Sequence, residues 1–264
     1  YLIEVKLTSK QKERLHLFST FFYERLTQRN TNSDQPKTPT TMHRMVKSWT
    51  KNVDIFDKDF LVIPINESAH WFLVIICHPK MAADDVAKKE LIDEKESEKD
   101  SDNISMDSDM DDFDKTLLEG ALERTKKNGK SKKSPQSVVA VKERPCILIF
   151  DSLGTNRRSG VITNLRNYLN CEWKERKDGS IENIFNKDTI KGCYPKVPLQ
   201  ENFSDCGLYV LQYFESFFTN PIEDFKAPID LRSWFPHDEM RRKRQDIIDV
   251  ILELQAKEES LKAT

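Results

Sequence analysis

The sequence lacks an apolar run long enough to span a bilayer, and its first residues lack the basic, apolar and small-residue order of a signal peptide. It also lacks a large net charge of either sign, because 42 Lys and Arg residues nearly balance 44 Asp and Glu residues and leave a formal charge of -2. No overall field therefore draws the chain to nucleic acid or to anionic lipid. These absences predict a soluble intracellular protein that binds neither membrane nor nucleic acid.

The five cysteines, at positions 77, 146, 171, 193 and 206, include no CxxC pair. Their spacing indicates neither a zinc ribbon nor the disulfide framework of a secreted domain. We therefore expect reduced thiols, no metal and no cofactor. Cys77 and Cys146 lie inside apolar runs and are interpreted as small core residues. Cys206 lies in a different setting.

Apolar residues that recur every three or four positions predict amphipathic helices over residues 12–26, 41–49, 162–169 and about 238–258. A further helix opens at Cys206-Gly207, and its apolar residues recur around most of its surface, so we expect it to be deeply buried. The polar residues between the first two helices predict a loop.

Short apolar runs rich in β-branched and aromatic residues predict strands. Asp59–Ile65 and Trp71–Cys77 are expected to be neighbouring buried strands with a tight connection, and Cys146–Phe150 is a third strand, followed directly by Asp151. The segment Tyr194–Gln200 contains two prolines, which favours a loop or an edge strand.

Residues 80–143 differ from the rest of the chain, with an acidic and serine-rich half followed by the basic run Lys126–Lys133. Such a composition buries too little apolar surface to offset its chain entropy, which predicts a disordered insertion. Because the cost of closing a loop grows slowly with its length, the insertion is compatible with one domain over residues 1–264.

Three residues predict a catalytic site. Cys206 begins a buried helix, where the helix dipole and unpaired backbone N–H groups favour a thiolate. A nucleophile also needs a base within hydrogen-bond reach and a group that orients the base. His70 lies just before one predicted strand and Asp151 just after another, so both side chains emerge at one end of the sheet if the strands are neighbours.

Gln200 lies six residues before Cys206, close enough for its amide to join the Cys206 N–H in stabilising an oxyanion. Each of these residues alone also has an ordinary structural explanation: packing for the cysteine, a surface or capping position for the histidine, and a turn for the aspartate. Their occurrence together favours chemistry.

Four motifs in the order His, Asp, Gln, Cys resemble the ubiquitin-like protease family of sentrin-specific (SUMO) cysteine proteases. They are Ser68–Trp71, Phe150–Leu153, Gln200 and Cys206-Gly207. The resemblance covers nearly all of the chain outside residues 80–143. It implies a papain-like α+β fold in which a mixed central sheet is flanked by helices and a buried helix carries the nucleophile.

The resemblance also implies the roles of individual residues. His70, Asp151 and Cys206 form the catalytic triad, Gln200 helps to build the oxyanion hole, and Trp71 lines a tunnel for the modifier's Gly-Gly tail. Without the family, Trp71 is more simply a core aromatic residue. The implied activity is cleavage after the Gly-Gly of SUMO, which deconjugates SUMO from proteins.

The segment Lys47–Phe60 and the long insertion look like the sentrin-specific protease 6 and 7 branch, which implies trimming of poly-SUMO chains. One departure concerns the start of the domain, because the family begins with an aromatic-Leu-Asn-Asp motif and a helix, whereas this chain begins at Tyr1-Leu2. We therefore expect a domain that is incomplete at its N-terminus.

Two other functions remain open on the sequence alone. The first is a protease for another ubiquitin-like modifier such as NEDD8, since the triad does not distinguish the C-terminal tail of one modifier from that of another. The second is a catalytically impaired SUMO-binding module. We expect SUMO and SUMO-conjugated proteins as partners, a monomer, and a location in the nucleus and also the cytoplasm. The basic run Lys126–Lys133 is a candidate nuclear localisation signal, with a solvated linker as the alternative.

Overall fold

The computed structural model describes residues 1–28, 36–101, 142–154, 158–177 and 182–262. Its sheet has five strands in sequence order, with the outer pairs parallel and the inner pairs antiparallel. The strands are β1 (Leu15–Leu17), β2 (Phe60–Glu67), β3 (His70–Cys77), β4 (Cys146–Phe150) and β5 (Lys191–Cys193).

Seven α-helices lie in the described part of the chain. They are α1 (Ser9–Arg14), α2 (Phe22–Thr27), α3 (Pro39–Arg44), α4 (Pro79–Ser101), α5 (Ser159–Arg176), α6 (Cys206–Thr219) and α7 (His237–Lys262). Short helical turns of other types occupy Leu2–Lys6, Lys47–Thr50 and Ile55–Asp57.

Strands β2 and β3 form a hairpin that runs from Phe60 opposite Cys77 to Glu67 opposite His70. The two connecting residues, Ser68 and Ala69, have φ values of 54° and 60°. Positive φ at both positions is typical of the two-residue turn whose twist matches that of the flanking strands. The predicted pair of strands with a tight connection is confirmed, although β3 begins one residue earlier, at His70 itself.

The central strands separate two apolar clusters because successive side chains of a strand point to opposite faces. On β3, Phe72, Val74 and Ile76 join the cluster that includes α5, and Leu73 and Ile75 join the cluster that includes α6. Each fully buried side chain of this size contributes about 1.5–3 kcal/mol. The two clusters therefore hold α5 and α6 against opposite faces of the same strands.

The predicted helix over residues 12–26 is wrong, because α1 ends at Arg14 and α2 begins only at Phe22. Between them, Leu15–Leu17 form β1, which pairs in parallel with β2 at the edge of the sheet. Leu15 packs in the cluster with α6, whereas Phe18 packs in the cluster with α5. Residues with helical spacing are thus divided between the two faces of the sheet.

The predicted helix over residues 41–49 is confirmed in part. Helix α3 begins two residues earlier, at Pro39, because Thr38 and Thr41 cap its N-terminus reciprocally. It ends at Arg44, and a separate 3₁₀ turn, Lys47–Thr50, completes the segment.

The prediction of disorder over residues 80–143 is wrong for its first turns. Helix α4 begins at Pro79, and Ala82 and Ala83 are buried in the cluster with α5. Residues 102–141 lie outside the described residues. The chain divides into one unit made of residues 1–88 and 141–264, which contains the sheet, and another made of residues 89–140.

The remaining elements largely agree with the sequence. Helix α5, β4 and α6 are confirmed, and residues 194–200 form a connecting loop directly after the edge strand β5. Two helical predictions are only partly right, because Leu211 of α6 is exposed and the apolar residues Ile251 and Leu254 of α7 are about half exposed.

Candidate active site

His70 and Asp151 meet at one end of the sheet. His70 is the first residue of β3 and Asp151 follows the last residue of β4, and the two strands are antiparallel neighbours. His70 Nε2 lies 2.8 Å from Asp151 Oδ1, and both residues are 8% exposed. The strand ends therefore place a histidine and a carboxylate in a hydrogen bond that is largely shielded from solvent.

The carboxylate of Asp151 has two further donors. The backbone N–H of Leu153 donates to Oδ1 over 3.0 Å, and Arg158 Nε donates to Oδ2 over 3.1 Å. Burial by itself raises the pKa of Asp151, but the hydrogen bonds from His70, Leu153 and Arg158 outweigh it and hold the pKa below its usual value. The alternative interpretation of Asp151 as a turn residue also holds, since Gly154 N–H donates to the Asp151 carbonyl.

Arg158 was missed by the sequence analysis. It lies immediately before α5 and folds back onto the strand ends, where it contacts Asp151, Glu67 and the ring of Phe72. The only signal was a charged residue four positions before the predicted helix over residues 162–169 and seven positions after Asp151. Nothing in a local pattern distinguishes such an arginine from one that faces solvent.

Cys206 is the first residue of α6 and is 7% exposed. Helix α6 packs against β3, the strand that begins with His70. The thiol thus lies at the positive end of a 14-residue helix dipole, among N–H groups that have no partner within the helix. Within the described ranges, one hydrogen bond joins His70 to Asp151, and none joins Cys206 to His70.

Gln200 is connected to the same end of the sheet. Its backbone N–H donates to the Ser152 carbonyl over 2.9 Å, and its side-chain Oε1 accepts from Ser152 Oγ over 2.5 Å. Its Nε2 donates to the Asn202 carbonyl over 2.5 Å. The Asn202 side chain in turn bonds Asp205, the residue before Cys206. A continuous set of hydrogen bonds therefore runs from the residue after Asp151 to the residue before Cys206.

Trp71 follows His70 on β3 and points to the opposite face of the strand. It is half-buried and packs against the cluster that contains Tyr209 and Val210 of α6. Part of the indole is therefore exposed at the end of β3 that carries His70. The roles of Trp71, Gln200 and the three triad residues stay predictions.

Two kinds of feature are absent from the residues that the structure describes. They contain no group of three or more His, Cys, Asp or Glu side chains arranged to hold a metal ion. None of the described helices combines the length and apolar character needed to cross a membrane.

Comparisons with known proteins find the same family from sequence and from structure. Residues 2–256 match the Ulp1 protease family, C-terminal catalytic domain. The chain is 37% identical to sentrin-specific protease 7 of Homo sapiens over 262 residues, covering 96% of this chain and 24% of that protein. It is 30% identical to sentrin-specific protease 6 of Mus musculus, covering 97% of this chain and 34% of that protein.

The predicted resemblance to the sentrin-specific protease 6 and 7 branch is confirmed by these relatives. A third relative, ubiquitin-like-specific protease 2 of Schizosaccharomyces pombe, is 36% identical over 81% of this chain and 28% of its own length. The chain spans about a quarter of the length of the first curated relatives it matches.

The fold has a counterpart among solved structures. A crystal structure of a de-sumoylating protease superimposes with a TM-score of 0.59 at 23% identity, covering 98% of this chain and 76% of that one. The predicted α+β fold, with a mixed sheet and a helix that carries Cys206, is confirmed. With a family match over nearly its whole length, the chain belongs to the Ulp1 protease family.

Proposed function

We propose that this chain is a SUMO-specific cysteine isopeptidase domain that cleaves the bond after the modifier's C-terminal Gly-Gly. The observation that carries the proposal is the hydrogen bond of 2.8 Å between His70 and Asp151, because His70 begins β3, the strand against which the Cys206 helix packs. The names of the relatives, sentrin-specific proteases 7 and 6, support SUMO as the modifier.

In the first half of the reaction, the Cys206 thiolate attacks the carbonyl carbon of the terminal glycine. A C–S bond forms, the isopeptide C–N bond breaks, and His70 gives its proton to the departing lysine amine. Since Asp151 binds His70 Nε2, the other ring nitrogen, Nδ1, is the one that serves the thiol and the leaving group.

In the second half, His70 takes a proton from water and the hydroxide attacks the thioester. A C–O bond forms, the C–S bond breaks, and the Cys206 thiolate is restored. Asp151 stays ionised throughout, in keeping with its low pKa, and stabilises the imidazolium. Gln200 and the Cys206 N–H donate to the developing oxyanion, and Trp71 contacts the glycine tail.

The finer parts of the proposal are trimming of poly-SUMO chains, a monomer, and location in the nucleus. The similarity to sentrin-specific proteases 6 and 7 supports the first. The basic run Lys126–Lys133, outside the described residues, is what supports nuclear location. We expect a fluorescently tagged chain to lose its nuclear location when these lysines are changed to glutamines. We expect analytical ultracentrifugation to give a mass near 30.9 kDa, that of a monomer.

The function is tested with three substrates: isopeptide-linked di-SUMO, a SUMO precursor and a NEDD8 conjugate. We expect di-SUMO to be cleaved faster than the precursor, the NEDD8 conjugate to be left intact, and Cys206→Ser to bind SUMO without turnover. Cys171→Ser is the matched control, because Cys171 is half-buried on α5 and lies outside the buried core.

Three results would contradict the proposal in different ways. Cleavage of NEDD8 at the rate of SUMO would overturn the modifier specificity. SUMO binding by the unaltered chain with no cleavage would favour a binding module. Undiminished cleavage by Cys206→Ser would remove the proposed nucleophile.

A further inference from the structure

Arg158 is a charged side chain held almost out of solvent, with 12% of its surface exposed. Its Nε donates to Asp151 Oδ2 over 3.1 Å, and its Nη1 donates to Glu67 Oε2 over 2.7 Å. The guanidinium carbon lies 4.0 Å from the centre of the Phe72 ring, a distance typical of a cation–π contact.

We propose that Arg158 is a positioning residue for the reaction, which fixes Asp151 and the start of β3 so that His70 is presented to Cys206 in a single orientation. The inference rests on the proposed function, because it assigns Arg158 to the triad of that function.

The hydrogen bonds of Asp151 explain how the carboxylate is fixed. A carboxyl group with one anchored oxygen still rotates about its Cβ–Cγ bond, which would move Oδ1 away from His70. Arg158 holds Oδ2, while Leu153 N–H donates to Oδ1, the oxygen that also binds His70. With both oxygens occupied, the lone pair that accepts from His70 Nε2 has a fixed direction.

The other contacts of Arg158 reach His70 from the hairpin. Glu67 is the residue directly opposite His70 in the β2–β3 register. Phe72 lies two residues after His70 on the same face, and the two rings are parallel within 23° at a centroid distance of 6.3 Å. The planar guanidinium thus joins β4, the hairpin and the start of α5 around one imidazole, which a flexible ammonium group would not do.

The charge of Arg158 gives the proposal a signature in pH. The charged and titratable groups that face Asp151 are His70 from β3, Arg158 from the start of α5 and Tyr213 from α6. Arg158 is in turn faced by Glu67 of β2 and Tyr23 of α2. Burial raises the pKa of Asp151, and the hydrogen bond from Arg158 is one of the contacts that lower it. Loss of that bond therefore raises the pKa of Asp151, which takes up a proton at a higher pH than in the unaltered chain. A protonated Asp151 no longer stabilises the imidazolium.

The test compares Arg158→Gln, Arg158→Lys and the control Arg166→Gln, whose parent residue lies within α5 and donates to the Ile190 carbonyl. The readouts are kcat and KM on a fluorogenic SUMO substrate across pH, the rate of Cys206 alkylation by iodoacetamide across pH, and Tm. For Arg158→Gln we expect kcat to fall by about 10- to 100-fold with KM within about twofold, since misplaced catalytic groups cost rate on this order.

The acid limbs of both the kcat and the alkylation profiles should move to higher pH in Arg158→Gln, less so in Arg158→Lys, and not at all in Arg166→Gln. An unchanged acid limb in Arg158→Gln, or the same shift in Arg166→Gln, would overturn the proposal. If the unaltered chain fails to cleave SUMO while Arg158→Gln still shifts the alkylation profile, the proposed substrate fails and the positioning role stands. If Arg158→Gln does not fold, the acid limbs of Arg158→Lys are compared with those of the unaltered chain. A shift to higher pH supports the proposal, and no shift overturns it.

Discussion

The hydroxyl of Ser152 donates a hydrogen bond of 2.5 Å to the side-chain oxygen of Gln200. This bond fixes which way the amide faces, because its oxygen is bound to Ser152 and its nitrogen donates to the Asn202 carbonyl. The second N–H of the amide is the one left for an oxyanion. Ser152 directly follows Asp151, so the candidate oxyanion donor and the candidate triad carboxylate are anchored by neighbouring residues. A turn that positions one therefore positions both.

Gln200→Ala should lower kcat by about 10²–10³-fold, the usual effect of removing one oxyanion donor, with SUMO affinity unchanged. Ser152→Ala should have a smaller effect, because the backbone bond from Gln200 N–H to the Ser152 carbonyl remains. Steady-state kinetics and a binding titration check both. Gln245→Ala on α7 is the control, and full activity in Gln200→Ala would count against the oxyanion role.

Glu172 lies in a buried ionic network that links α5 to α3. It is 1% exposed and accepts hydrogen bonds from His43, Thr50 and Arg176. Burial by itself raises the pKa of Glu172, but these bonds outweigh it and hold the pKa below its usual value. The stability that this carboxylate contributes is therefore complete above the unfolded pKa, near 4.5, and is lost as the pH falls through the lower folded pKa.

Glu172→Gln should lower the free energy of unfolding at neutral pH by about 3 kcal/mol, as expected when one partner of a buried ion pair is removed. The acid side of its stability profile should become flatter than that of the parent. Glu175→Gln is the matched control, because Glu175 pairs with Lys47 at the surface and such pairs contribute about 0–1 kcal/mol. Equal losses in the two variants would contradict the network's role.

Alkylation of the native chain at neutral pH should be concentrated on Cys206. Burial raises the pKa of Cys77, Cys171 and Cys193, for Cys193 to about 11, which keeps these thiols protonated. Peptide mapping after brief iodoacetamide treatment measures the distribution, and it should become uniform in denaturant. Labelling of Cys171 as fast as Cys206 would argue against an activated thiol.

The boundaries of the removable insertion follow from its anchors. Ala82 and Ala83 are buried, Lys142 N–H donates to the Glu223 carbonyl, and Arg14 donates to Glu143 over 2.9 Å. Replacing residues 89–140 with a Gly/Ser linker should leave stability nearly unchanged. Replacing 80–143 should lower the free energy of unfolding by about 2 kcal/mol. The buried methyl groups of Ala82 and Ala83 account for roughly 0.8 kcal/mol each, and loss of the hydrogen bonds of Lys142 and Glu143 adds the rest. Chemical denaturation of both chains measures this, and equal stabilities would contradict it.

The central part of the fold could be predicted from sequence because its signals are local. Residues 60–65, 71–77 and 146–150 form short apolar runs rich in β-branched and aromatic residues, and α5 and α6 have helical apolar spacing. Leu15–Leu17 could not be predicted in this way, since spacing alone does not show that Leu15 and Phe18 pack on opposite faces of a sheet. Pairing with a strand 45 residues later decides that conformation.

The candidate site divides in a similar manner. His70, Asp151 and Cys206 could be proposed because each lies at the end of an element whose bounds the sequence indicates. Arg158 and Ser152 could not, because their positions depend on side chains that fold back across a turn onto residues distant in sequence.

The insertion separates the members of the proposed triad along the chain, with His70 before it and Asp151 and Cys206 after it. Across this gap, β3 and β4 are held in register from Leu73 opposite Phe150 to Cys77 opposite Cys146. A backbone cut inside the insertion would therefore leave a two-piece domain whose halves share one sheet. Once such halves are separated, reassembly of the site becomes a bimolecular event, so activity would depend on concentration in the way that a split reporter does.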